Sequence, residues 1–247
     1  MAWSFSICGR AQPPTTARTC GQWLVVLIFG ASLILPVAAV AAPSPNAGAP
    51  LALSDAAPFG QQTASSNARE LAAWVLKSGD NQALPFVIID KIDAKVFVFD
   101  RLGTLQGAAA ALLGLGRGDD SVPGIGQRKL ATISPGDRTT PAGRFKASLG
   151  HDFEQDILWV DYDLALSLHR VVAGSPKDRR HARLASASPH DNRISYGCIN
   201  VPADFYDRVV IPAFTGTVGI VYILPDSKPL RAVFAIPEQP ADSGGAH

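Results

Sequence analysis

Short apolar runs broken by glycine and proline constrain this chain more than any other feature. Phe86-Val87-Ile88-Ile89 is followed, after a polar gap over residues 90–94, by a run rich in Val and Phe from Lys95 to Phe99. Two such runs across a short polar gap predict a β-hairpin. Residues 108–115, 144–149, 157–160, 164–168 and 218–224 are further strand candidates. With 22 glycines and 19 prolines in 247 residues, few stretches run uninterrupted for long enough to make a long helix. One amphipathic helix is predicted over 68–78. There Leu71, Trp74 and Val75 fall at helical spacing, Asn67 and Glu70 offer a capping box, and Gly79 supplies a stop. A second is predicted over 203–210, with Pro202 at its first turn. Many short strands with one or two short helices predict a mainly β domain, built as a sandwich or barrel. Residues 230–236 read as an edge strand, and the end of the chain as disordered.

The start of the chain has a different texture. Arg10 and Arg18 precede an uncharged run over 23–40, and Ala39-Val40-Ala41 supplies small residues. That order predicts a cleaved secretory signal over 1–41; the alternative is an uncleaved anchor. Residues 42–65, rich in Ala, Pro, Ser and Gly, read as a flexible linker. The helix and its approach then occupy 66–83, the main domain 84–226 and a tail 227–247. Cleavage would leave 206 residues, enough for one domain with a substantial core. It would also remove two arginines from a chain of formal charge +1, leaving it near −1. That balance excludes a polybasic nucleic-acid binder, and a membrane enters only through the signal segment.

Export changes the meaning of the cysteines. Cys8 and Cys20 would leave with the signal, so Cys198 would be the one thiol carried into an oxidising compartment. Such a thiol is buried and inert, joined to another chain, or kept for reactivity. A reactive cysteine needs a base or cation to ionise it, amide donors for a developing oxyanion, and open access. The turn Tyr196-Gly197-Cys198 can present successive N–H groups beside the sulfur. Four histidines are candidate partners. His169 ends the run Leu164-Ala165-Leu166-Ser167-Leu168, where alternation sets it on the face opposite the leucines. His181 lies in the charged stretch Lys177-Asp178-Arg179-Arg180-His181, His190 follows Pro189, and His151 follows Gly150. Strand context favours His169, whereas proximity in sequence favours His181, 17 positions before the cysteine against 29. Gly114-Leu115-Gly116-Arg117-Gly118 has the look of a phosphate loop, but no helix follows it, which argues against a dinucleotide. Scattered histidines and one thiol do not make a zinc site, and no cofactor or metal is expected.

Three segments in order carry a resemblance. Ser195-Tyr196-Gly197-Cys198-Ile199-Asn200 resembles the Ser-His-Gly-Cys signature of the L,D-transpeptidase catalytic-domain family. Thr140-Pro141-Ala142-Gly143-Arg144-Phe145 is similar to that family's Thr-Pro-x-Gly-x-Phe segment, and Leu166-Ser167-Leu168-His169 to the strand bearing its histidine. The resemblance spans about residues 84–226 and implies a β-sandwich or barrel-like domain of a cysteine acyltransferase in the bacterial periplasm or cell envelope. Its substrates would be peptidoglycan stem peptides. Cys198 would form a thioester with a tetrapeptide donor, released to an amine on another stem, an acceptor protein or a free amino acid. His169 would be the base, the Arg170 carbonyl would orient it, and N–H groups of Tyr196, Gly197 and Cys198 would hold the oxyanion. Ser195, Asn200, Arg179 and Arg180 would contact substrate, the two arginines from a basic flap over about 172–192. Tyr196 stands where the family has histidine, and Arg170 where it commonly has glycine. The alternatives are a hydrolase of the same fold, acting as carboxypeptidase or amidase, and a non-catalytic module that binds cell wall.

Overall fold

A computed structural model describes residues 58–152 and 155–237. The signal segment and most of the linker expected from the sequence lie outside the described residues. In chain order the described elements are helix α1 (Ser66–Ser78) and strands β1 (Phe86–Asp90), β2 (Lys95–Phe99), β3 (Leu105–Ala110), β4 (Leu113–Gly114), β5 (Gly143–Asp152), β6 (Gln155–Asp161) and β7 (Leu166–Arg170). The short helix α2 (Arg180–Leu184) precedes β8 (Arg193–Ser195) and β9 (Ile199–Val201). Helix α3 (Ala203–Phe205) continues through a π-helical turn (Tyr206–Val210) into α4 (Ile211–Phe214); β10 (Val218–Ile223) and α5 (Leu230–Val233) follow. Among the described residues, no helix is long and apolar enough to cross a membrane.

Eight strands form one sheet in the order β3-β2-β1-β10-β5-β6-β7-β9, and β4 pairs separately with β8. The predicted hairpin is β1–β2, with Phe86 opposite Phe99 and Ile89 opposite Val96. A backbone bridge from Leu112 to Asn200 brings the segment after β3 against β9, so the sheet curls almost into a barrel.

Alternation along the central strands feeds two cores. Val87 and Ile89 of β1 join Val96, Val98, Leu158, Leu168, Ile199 and Val221 on the inner side, where Tyr206, Val210 and Phe214 pack over them. Phe86 and Ile88 face the other way, onto Leu71 and Val75 of α1 together with Phe97, Phe99 and Tyr222. A strand covered on both faces reads as a continuous apolar run, which is how β1 is written. Each side chain of this kind contributes on the order of 1.5–3 kcal/mol when buried.

Several local expectations are corrected. The cap of α1 is Ser65, whose Oγ accepts from Ala68 N at 3.1 Å, not Asn67 with Glu70; Glu70 pairs instead with Arg231. The second helix runs on to Phe214. Pro212, which lacks an N–H to close an α turn, is preceded by the wider π turn. The predicted strand 108–115 is split, because β3 ends at Ala110 and β4 begins at Leu113. Residues 230–236 hold the helical turn α5 rather than an edge strand, with Leu230 and Phe234 closing the second core. The start of the tail is pinned, since Ser227 and Lys228 backbone N–H groups both donate to Asp119.

Candidate active site

Parallel pairing of β7 with β9 assembles the site. Leu168 lies opposite Ile199 and His169 opposite Asn200, so Cys198, one residue before β9, falls level with Ser167. Strand periodicity puts Ser167 and His169 on one face and the buried Leu166 and Leu168 on the other. Ser167 Oγ donates to Cys198 Sγ at 3.5 Å, and Sγ in turn reaches the Ala165 carbonyl at 3.5 Å. Cys198 is half-buried, and no other cysteine is among the described residues to pair with it. Burial pushes its thiol up, but the neighbouring His169 imidazole and the Ser167 hydroxyl outweigh burial and bring it below an ordinary thiol.

The imidazole is fixed at both nitrogens. His169 Nδ1 donates to the Arg170 carbonyl at 2.7 Å, and Nε2 lies 3.2 Å from Asn200 Nδ2. A carbonyl only accepts, so the Nδ1 bond selects the Nδ1–H tautomer and leaves Nε2 an acceptor for the Asn200 amide. The Arg170 side chain, where the family resemblance calls for glycine, turns to Asp156 and Asp207 and stacks on the Tyr206 ring at 4.5 Å. Its charge is thus matched by two carboxylates. The other described histidines lie elsewhere: His181 is exposed on α2, His190 is exposed beside Arg117, and His151 is exposed on β5.

The cysteine turn is braced from below. Ser195 Oγ donates to the Cys198 carbonyl at 2.6 Å and accepts from Gly197 N at 3.1 Å. Thr140, fully buried, donates from Oγ1 to the Gly197 carbonyl at 2.7 Å and accepts from Gly114 N at 2.9 Å. Gly197 has φ +134°, and a Cβ there would meet the Thr139 carbonyl at 2.8 Å. No other residue fits this position without moving backbone. These contacts revise two expectations. Gly197 N–H is spent on Ser195 and is not open to an oxyanion, whereas the amides of Tyr196 and Cys198 have no partner among the described residues. Ser195 is 3% exposed and braces the turn rather than facing a ligand.

Asn200 is also buried, 1% exposed, and its amide bridges His169 to Arg180 Nη1, 3.0 Å from Oδ1. Arg179 is exposed, with φ +49°, and makes no side-chain hydrogen bond among the described residues. The basic flap is therefore ordered in part: α2 delivers Arg180, not Arg179, to the site. The Tyr196 ring lies under the Arg138 guanidinium at 4.0 Å, while Arg138 Nε and Nη2 donate to the Ile133 carbonyl. Neither Ser167 nor Arg138 belongs to a motif that marks it as a site residue. The signal for Ser167 was present, since it stands two residues before His169 on a strand.

Behind the turn lies a closed ionic cluster. Lys91 Nζ, fully buried, donates to Asp119 at 2.9 Å, to the Gly118 carbonyl at 2.7 Å and to the Thr140 carbonyl at 2.9 Å. Arg193 of β8 pairs with Asp226 at 2.6 Å and donates to the Lys91 carbonyl at 2.7 Å. Gly114 and Gly116, in the segment that resembled a phosphate loop, pass against the backbone of 136–140. There a Cβ would meet Arg138 O at 2.3 Å or Gly136 O at 2.6 Å. Their role is close packing under the site. Among the described residues, no three His, Cys, Asp or Glu side chains converge to hold a metal ion.

The chain matches no protein-family model and no curated protein. It is similar in backbone to solved structures at low identity. One is the helical cell shape determining protein Pgp2 from Campylobacter jejuni, at 14% identity over 66% of this chain and 57% of that chain, with a TM-score of 0.41. Others are the catalytic domain of an E. faecium L,D-transpeptidase, at 13% over 56% of this chain and 95% of that one, TM-score 0.34, and an L,D-transpeptidase from Xylanimonas cellulosilytica, at 15% over 57% and 60%, TM-score 0.33. The chain thus spans little more than half the length of Pgp2.

Proposed function

We propose that this chain is a cysteine acyltransferase of the L,D-transpeptidase type, acting on peptidoglycan stem peptides in the cell envelope. The observation that carries this reading is the half-buried Cys198 thiol, drawn below the ordinary thiol range by His169, whose tautomer the Arg170 carbonyl selects. The Ser-x-Gly-Cys context and the Thr-Pro-x-Gly-x-Phe segment braced against it support the same reading.

In the first step the Cys198 proton passes to His169 Nε2 and the sulfur attacks the carbonyl of the third residue of a tetrapeptide. The negative charge on the carbonyl oxygen is held by the N–H groups of Tyr196 and Cys198. Collapse breaks the peptide bond, and the departing amine of the terminal residue takes the proton back from Nε2. An acceptor amine then attacks the thioester, gives its proton to Nε2, and the thiol re-forms. Arg180, brought to the site by α2, suits a carboxylate on the donor peptide.

Purified protein incubated with tetrapeptide muropeptides tests this. Cross-linked dimers from wild type and none from Cys198→Ala are the expected result. Trimmed monomers alone would assign a hydrolase. Binding to sacculi with no covalent adduct on Cys198 would assign a wall-binding module.

A further inference from the structure

The bonds around Asn200 leave its amide one orientation. Oδ1 accepts from Arg180 Nη1 at 3.0 Å, so the amide nitrogen faces the Cys198 carbonyl at 3.4 Å and His169 Nε2 at 3.2 Å. Turned over, the amide would set oxygen against the Cys198 carbonyl and N–H against the guanidinium. In the observed arrangement Asn200 donates into the Nε2 lone pair, the one needed for the thiol proton. Once Nε2 takes that proton, two N–H groups face each other across 3.2 Å. The amide must then rotate to present Oδ1, and Arg180 opposes the rotation.

We propose that Arg180 is a positioning residue that acts on His169 through Asn200, holding the resting site as thiol and Nδ1–H imidazole. This rests on the reading of Cys198 and His169 given above. The step it controls is a proton transfer: the S–H bond breaks, an Nε2–H bond forms, and sulfur gains the charge the thiol proton leaves behind. Because Arg180 rides on α2, the position of the flap sets how readily the nucleophile ionises.

The other charged groups around the pair are few. Asp152, at the end of β5, lies within electrostatic reach of His169. Arg170 is matched by Asp156 and Asp207, Arg180 is paired with Asp178 at 3.3 Å, and Arg138 stacks on Tyr196. This makes the sign informative. A cation near a thiolate stabilises it by attraction, so losing Arg180 should raise the thiol midpoint if charge alone matters. If Arg180 acts by fixing the Asn200 amide, losing it should lower the midpoint.

The test is the ultraviolet absorbance of the thiolate against pH in the full chain, with the Cys198→Ser variant subtracted to remove Cys8 and Cys20. Arg180→Met is expected to lower the Cys198 midpoint by about one pH unit. Arg180→Lys, which can still donate to Oδ1, should stay near wild type. In an Asn200→Ala background, Arg180→Met should instead raise the midpoint, because only the charge effect remains. An unchanged or raised midpoint in the single variant, or the same shift in both backgrounds, overturns the proposal; a flap that merely melts would give the second result. The readout needs no substrate, so an absence of acyl transfer would defeat the proposed function and leave this test standing.

Discussion

Two polar clusters lie back to back in this molecule, and they are built on opposite principles. Around Lys91, charges are buried and closed: Lys91, Asp119, Arg193 and Asp226 are all at most 6% exposed in their side chains and neutralise one another. Around Cys198 the groups are held but not saturated. The sulfur makes two long contacts, the Tyr196 and Cys198 amides stay free among the described residues, and Nε2 of the imidazole has only the 3.2 Å contact with Asn200. The first arrangement suits structure, because a buried charge without its partner is costly. The second leaves groups able to form new bonds, which is what the proposed acyl transfer requires. Thr140 joins them, its carbonyl on Lys91 and its hydroxyl on the Gly197 carbonyl.

The contrast can be broken most sharply at His169, the proposed base. His169→Ala should slow acylation of Cys198 by a β-lactam or peptide donor by about 100- to 10,000-fold while leaving urea denaturation nearly unchanged. His181→Ala should change the same rate less than about twofold, since that ring is on the exposed side of α2. A reversal of the two would move the base to the flap.

The ionic cluster should show the opposite pattern. Lys91→Met would leave Asp119 and Asp226 without their buried cation, at a cost of about 3–5 kcal/mol in urea denaturation. Acid should expose the same dependence. Burial pushes Asp119 up, but Lys91 and the N–H groups of Asp226, Lys228 and Ser227 outweigh it and hold the carboxyl well below the usual range. A carboxyl depressed in the folded state stabilises fully above its unfolded value of about 4 and loses that contribution as pH falls toward the folded value. Asp119→Asn should therefore be less stable than wild type at neutral pH, and the gap should close in strong acid.

The smallest effect belongs to the junction. Thr140→Val removes two buried hydrogen bonds, and should cost about 1–3 kcal/mol together with a modest fall in acylation rate. A loss of stability with no change in rate would separate the two clusters completely.

The sequence made the scaffold legible where side-chain period and packing agree. The β1–β2 hairpin is one case, and the alternation of Leu166, Ser167, Leu168 and His169 is another. It left β8 and β9 hidden, because each is only three residues long and Arg193-Ile194-Ser195 carries a single apolar side chain. Cys198 and His169 stood out by chemistry and strand context. The Lys91 cluster did not, since its members come from four distant segments and each alone looks like a surface charge. Residues 230–236 misled for a related reason. Leu230, Val233 and Phe234 suit a short strand, yet Pro229 starts a helical turn and Leu230 and Phe234 close onto the second core.

The Leu112–Asn200 bridge ties closure of the sheet to the candidate site. Asn200 stands on the seam where the curled sheet meets itself, with β7 on one flank and the chain after β3 on the other. Its backbone closes the seam with Leu112, while its side chain on the β7 flank bridges His169 and Arg180. A substitution that loosens the seam would therefore reach the imidazole through the residue that closes it.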